Sequence, residues 1–470
     1  MYEVRNYYNH SVKQKEGDDL HKKELKLFSL TWPIFLEIFL FMLMGIADTI
    51  MLSRVSDDAV AGVGAANQYV QIAILVLEVV GIGASVVVSQ YIGSKRYKEA
   101  TKIAALAITL NTINGIGISI IFILFSKYMM TFMNLQGEVL AHATTYLAIV
   151  GGAIFLQGVI NAIAAIIRVY GYTKETMFVS LGMNIFHVAL NYILIFGNLG
   201  APKLGVTGAA ISSVTSRGLA LIVFFILLYR LLDDRMEWRD YFTWHQVYIK
   251  KILQVGIPAA FEQVIYQGCQ IVFVYYVTYV GATSLAARQY AMNISMFTYL
   301  FAIAIGMSTA ILVGRLVGAG NKDQAYKTLW RSVRYAVVFT LVAVVIVTTY
   351  RYPFMRFFTT NEEIIEIGAS VLALAIILET GRTMNITIIA SLRASGDARF
   401  PVMMAVISML GISLPLGYYF VFILDLGLVG IWLAISVDEW IRAIMMTWRW
   451  KSRVWERYAL VEPDKTKGTK

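Results

Sequence analysis

About twelve runs of roughly 20 apolar residues occur along this chain, each long enough to cross the hydrocarbon core of a bilayer as a helix. They centre near residues 40, 79, 114, 156, 187, 217, 265, 304, 341, 377, 411 and 438. At 58% hydrophobic and 15% charged residues over 470 positions, the apolar surplus exceeds what a soluble core requires. The expected fold is therefore an all-α polytopic membrane protein with twelve transmembrane helices. The alternating ten-residue segments of an outer-membrane barrel are absent from the sequence.

The net charge of +10 reads as a topology signal, because Lys and Arg concentrate in the tails and in alternate loops. Lys95, Arg96, Lys98, Arg235, Arg239, Lys250, Lys251 and the stretch from Arg449 to Arg457 place both termini in the cytoplasm. The expected location is the cell inner membrane, with no nucleic-acid partner. Residues 1–26 are polar and lead into a run too long for a signal-peptide h-region, so the first helix is expected to stay in the membrane. Cys269 is the single cysteine; it excludes an intramolecular disulfide and a cysteine metal cluster, and reads as a packing residue.

The chain repeats itself at an offset of 225 positions. "WPIFLE" at Trp32 returns as "IPAAFE" at Ile257, aligning Pro33 with Pro258 and Glu37 with Glu262. "SQYIGSKRYKEA" from Ser89 matches "GRLVGAGNKDQA" from Gly314, and "RVYGYT" at Arg168 matches "RASGDA" at Arg393. With a three-residue slip, "LGVTG" at Leu204 matches "LGLVG" at Leu426. Each copy holds an even number of helices, so the copies share one orientation, as in transporters whose halves are related by an axis along the membrane normal. The organisation is a tail (1–26), an N-lobe of six helices (27–231), a polar linker (232–251), a C-lobe of six helices (252–449) and a second tail (450–470).

Charges within the apolar runs are the candidates for function. Glu37 and Asp48 are 11 residues apart, which brings both to nearly one face of the first helix. Asn184, His187 and Asn191 follow i, i+3, i+7 spacing and form a polar stripe on the fifth. The repeat twin of Asp48 is Phe273, and those of the stripe are Met409, Ile412 and Leu416, so a polar constellation stands in one half only. Apolar surroundings favour the neutral form of a carboxyl, which suits Asp48 to a proton- or cation-responsive switch. His187 reads as a proton relay or a satisfied interhelical donor, and the asparagines as site residues or helix glue. Gln157 and Asn161 share a face of the fourth helix and are expected to line the same cavity. Met42, Met44 and Met51 surround Asp48 in sequence as adaptable apolar lining or ordinary packing. Glu379 with Arg382, and Asp438 or Glu439 with Arg442, can neutralise each other within a helix. Arg217, Glu78, Glu37 and Glu262 have no partner nearby in sequence; Glu37 and Glu262 read as stabilisers of gates or half-helix ends, or as second acidic sites.

"DTIMLSRVSDDAVAGVG", "LNYILIFGNLGAPKLGVTGAAISS", "IPAAFEQ", "GRLVGAGN" and "LRASGDARFPVMM…LGLVGIWLAISVDEWIRA" resemble the multidrug and toxic compound extrusion (MATE) family of bacterial antiporters, from about Leu27 to Arg449. The resemblance implies two six-helix lobes around a V-shaped cavity, and export of organic cations driven by inward flow of protons or sodium. It implies an essential aspartate at Asp48. An Asn and an Asp four apart on the family's fifth helix fall here on His187 and Asn191, so one carboxylate is missing and fewer hard oxygen ligands remain for sodium. A glutamate that some relatives carry on the seventh helix falls on Tyr266, one turn beyond Glu262.

The reading is a proton-coupled exporter of organic cations or amphiphilic drugs, acting as a monomer, with no cofactor beyond the coupling ion and no metal or catalytic site. A sodium-coupled exporter and a lipid-linked precursor flippase of the same superfamily are the alternatives. A channel fits the composition alone. No nucleophile elbow, HExxH or paired-histidine motif supports a membrane enzyme.

Overall fold

A computed structural model describes residues 25–232 and 236–461. Among these residues the fold is helical throughout. The first half comprises α1 (Leu27–Ser53), α2 (Asp57–Gly93), α3 (Tyr97–Phe132), α4 (Gly137–Tyr146), α5 (Ile154–Val169), α6 (Thr173–Phe196) and α7 (Val206–Leu231). The second comprises α8 (Gln246–Val280), α9 (Ala282–Gly318), α10 (Lys322–Thr349), α11 (Glu362–Ala373), α12 (Ala375–Ala394), α13 (Arg399–Ile423) and α14 (Gly427–Lys451). Eight single helices are long and apolar enough to cross a membrane, and the bent pairs α4–α5 (44°) and α11–α12 (49°) bring the number to ten. The two remaining members of the expected twelve, α8 and α14, are 35 and 25 residues long. Tyrosines and glutamines in α8, and Asp438, Glu439 and Arg442 inside α14, lower their apolarity.

Local chemistry accounts for the breaks. Ser56 accepts a hydrogen bond from the Ala59 amide at 3.0 Å at the start of α2, where Asp57 and Asp58 complement the helix dipole. Gly197 ends α6 at φ 76°, a conformation glycine takes without strain. The α4–α5 bend passes through a π-helical turn, Leu147–Gly151, and the Phe155 amide beyond it donates to Ser119 of α3 at 3.3 Å. Two expectations change here. Pro33 and Pro258 lie inside continuous helices, so no half-helix ends form beside Glu37 and Glu262. Pro33 cannot donate to the Ser29 carbonyl; the Thr173 hydroxyl of α6 donates to it instead, at 3.4 Å. The second change is that α8 starts at Gln246 and takes in Lys250 and Lys251 from the stretch read as linker.

The halves meet along α2 with α8 and α9, and α1 with α9. Their contacts repeat the sequence offset. Gly93 packs so closely on Arg315 that a Cβ would strike the Arg315 carbonyl, and its twin Gly318 does the same against Gln90, the twin of Arg315. Gln90 Nε2 donates to the Ala394 carbonyl at 2.7 Å. Reciprocally, the Arg315 guanidinium donates to the Val169 carbonyl at 2.6 and 3.2 Å. Gln90 Oε1 also accepts the Leu460 amide at 2.8 Å, and Leu25 packs on Gly171. Both ends of the described chain therefore lie at the sealed end of the molecule. Gly93→Val is expected to destabilise the protein by ~1–3 kcal/mol through overpacking, read as a lower melting temperature in detergent; an unchanged melting temperature would contradict this packing.

Candidate functional site

Above the seam the halves part around a cavity of about 810 Å³. Six second-half residues face it: Ile303, Met307, Ala310 and Ile311 of α9, and Ala390 and Arg393 of α12. Their repeat twins, Glu78, Ile82, Ser85, Val86, Ala165 and Arg168, face it too, so the cavity floor is nearly two-fold symmetric. Beyond the floor it extends only into the first half.

Asp48 stands in that one-sided chamber, its side chain 23% exposed. Asn191 Nδ2 donates to Asp48 Oδ1 at 2.6 Å. His187 Nδ1 lies 3.6 Å from the same oxygen, too far for a hydrogen bond and near enough for ionic attraction when the ring is protonated. Its Nε2 pairs with Ser213 Oγ of α7 at 3.1 Å. Gln157 donates to Asn161 at 2.7 Å, and both line the cavity, as does Met44. Met51 packs instead in the core beside Leu52 and Val206, and Met42 does not line the cavity. Asn184 departs from the expected constellation. It is buried, both polar atoms of its amide lack a hydrogen-bond partner among the described residues, and Met183 reaches the cavity in its place. Asn191 is fully buried and acts through Asp48.

The two glutamates read as second acidic sites are held in twin ion pairs. Arg168 contacts both Glu37 oxygens at 3.1 Å, and Thr176 and Ser180 donate to the same carboxylate at 3.3 and 3.0 Å. Arg393, the twin of Arg168, contacts Glu262 at 2.6 Å. Each pair ties the first helix of its half to the fourth. Glu37 lines the cavity with its acceptors engaged, and Glu262 does not line it.

The second half has no matching chamber because its interior is filled. Phe273, the twin of Asp48, is 2% exposed and packs on Gly417. Arg382, the twin of Gln157, bonds Glu379 at 2.8 Å and Glu439 at 3.4 Å. Arg442 contacts Asp438 at 2.9 Å and Glu439 at 3.1 Å, and Asn385 donates to Glu439 at 2.9 Å. The intrahelical pairs read from sequence are present, and Arg382–Glu439 joins them across α12 and α14.

Sequence reasoning left Arg217, Tyr146, Asn67, Gln71 and Glu78 outside the site, and all five line it. Arg217 Nη1 is buried without a hydrogen-bond partner among the described residues. The signal for α2 was present: Asn67, Gln71, Ile74, Glu78, Ile82 and Ser85 follow three- and four-residue spacing, which makes one helix face. Arg168→Met is expected to cost ~3 kcal/mol or more by leaving Glu37 buried and unpaired, read as a lower melting temperature. The double variant with Glu37→Gln is expected to recover most of the loss, and equal damage in both would contradict the pairing.

The profile of the MatE family matches residues 33–193 and 258–419 of this chain. The "Uncharacterized transporter YisQ" of Bacillus subtilis is 41% identical over 433 residues, 92% of this chain and 95% of YisQ. A "Probable multidrug resistance protein NorM" of Thermotoga maritima is 26% identical over 98% of both chains. Among solved structures, a MATE protein in a bent conformation superposes with a TM-score of 0.86 at 20% identity, covering 93% of this chain and 96% of its own. A Pyrococcus furiosus transporter of the MOP superfamily, described as having a binding pocket of reverse polarity, gives 0.85 at 21% identity, covering 92% and 97%. These likenesses extend over both halves and the seam.

Proposed function

Because the chain belongs to the MatE family, we propose that it is a multidrug exporter that antiports organic cations or amphiphilic drugs against protons by alternating access between its lobes. The observation that carries this reading is the Asp48 carboxylate, facing the cavity with Asn191 and His187 beside it and no second carboxylate in contact among the described residues. Proton exchange needs one carboxyl that can be neutral or charged, whereas a dehydrated cation needs several hard oxygens. Protonation would weaken the attraction of the Asp48 carboxylate to the Arg217 guanidinium and alter the Asn191 hydrogen bond, a change that can bias the packing of α1 on α6 and so couple to the lobes. The multidrug resistance proteins among the relatives support export as the task.

In this reading the protein works as a monomer in the cell inner membrane, as a transporter and not an enzyme. The sealed end carries both described ends of the chain. With the basic tails in the cytoplasm, the cavity opens outward, the state that releases substrate and takes up the driving proton. A second reading rests on Arg217: its Nη1, buried at the cavity without a hydrogen-bond partner among the described residues, is a group that an anionic headgroup would engage, as a lipid-linked precursor flippase requires.

The test is efflux of ethidium from proteoliposomes under an imposed pH gradient, then under a sodium gradient. The expected result is efflux driven by the pH gradient alone, lost in Asp48→Asn while that variant still elutes as a folded species. Efflux that needs sodium, or normal efflux by Asp48→Asn, would overturn the proton mechanism. Absence of cation transport under either gradient would favour the flippase.

A further inference from the structure

We propose that Glu78, on the cavity floor, is the residue that recognises the positive charge of the substrate, so that substrate and coupling proton use different carboxylates. The proposal rests on the exporter reading and adds a site to it. Glu78 is placed by its neighbours on α2. Leu77 packs against Gly158 of α5, and the Val79 carbonyl packs so closely against Gly256 of α8 that this glycine has no room for a Cβ. Residues 77 and 79 point about 100° to either side of residue 78, one toward each lobe. The Glu78 side chain is left aimed between the lobes, exposed within the cavity.

The charges around the cavity single out this residue. Arg168 is held by Glu37 and Arg393 by Glu262. Arg217 faces the chamber that holds Asp48. Glu78 makes no hydrogen bond or ion pair among the described residues, and the cation whose field reaches it, Arg168, is already paired with Glu37. Counted from the turn at Arg54–Ser56, it lies roughly 24 Å deeper than Asp48 at 1.5 Å per residue.

The repeat supplies the independent observation. Of the six twin pairs on the floor, Glu78/Ile303 is the one in which a charged residue faces an apolar twin; the other five are Ile82/Met307, Ser85/Ala310, Val86/Ile311, Ala165/Ala390 and Arg168/Arg393. An unpartnered carboxylate therefore faces an aliphatic wall of Ile303 and Met307 across the pseudo-two-fold axis. A ligand that fits this floor carries one positive charge against Glu78 and an apolar body against the opposite wall, where the unbranched methionine adapts to its shape.

Equilibrium binding of tetraphenylphosphonium and of neutral triphenylphosphine oxide to purified full-length protein tests this. Glu78→Gln is expected to weaken the cation by about tenfold or more and leave the neutral probe within about twofold, since only the cation uses the charge. The swapped variant, Glu78→Ile with Ile303→Glu, returns a carboxylate to the floor from the other lobe and is expected to regain cation binding. Wild-type affinity in Glu78→Gln, or equal loss of both probes, would overturn the assignment while leaving the exporter reading standing. A wild-type protein that binds no cation would overturn both.

Discussion

Two helix-terminal carbonyls hold the architecture together. Val169 ends α5 and Ala394 ends α12, and the last carbonyls of a helix have no partner within it. In a membrane protein such groups must be satisfied by protein. Each is satisfied from the opposite lobe, Val169 by Arg315 and Ala394 by Gln90, and the flanking Gly93 and Gly318 let the backbones approach closely enough for these bonds to form. Sealing one end by this reciprocal arrangement leaves the other end of the lobe interface apart. The cavity is the direct consequence.

Duplication supplies two equivalent lobes, and function depends on where they stop being equivalent. The Glu37–Arg168 and Glu262–Arg393 pairs are kept in both, as scaffold contacts should be. Above them the lobes diverge. Phe273 and the Glu379–Arg382–Glu439–Arg442 network fill one interior. Asp48, Gln157, Asn161 and His187 line an open space in the other. A buried ion network is costly to assemble and costlier to break, so the filled lobe is suited to moving as a rigid partner, and the proposed binding and titration fall to the open lobe.

Much of this was legible in the sequence. Apolar run length pointed to the helical membrane fold, the 225-residue offset anticipated the twin contacts at the seam, and the lack of a polar twin for Asp48 matches the one-sided cavity. Partners distant in sequence were not legible. Arg168 and Glu37 are 131 positions apart, as are Arg393 and Glu262, so the glutamates looked unpaired and were read as stabilisers of gates or half-helix ends, or as second acidic sites. Asn184 shares a helix stripe with His187, yet Met183 lines the cavity and Asn184 does not. Periodicity fixes a face only to within one neighbouring position. Glu78 and Arg217 were visible as charges without local partners, but only the folded lobes show that both face the same space.

In the proposed mechanism Asp48 near the open end and Glu78 on the floor divide the work of an antiporter between two carboxylates: one follows proton availability, the other meets the substrate. Such a device must be reciprocal, since any ion that drives substrate movement must itself be driven by substrate. The most direct measurement is proton movement in proteoliposomes that start with no pH gradient, reported by a trapped pH dye as a cationic substrate gradient is applied. The account predicts proton flux opposite in direction to the substrate, abolished in Asp48→Asn. Substrate movement with no accompanying proton flux would contradict it.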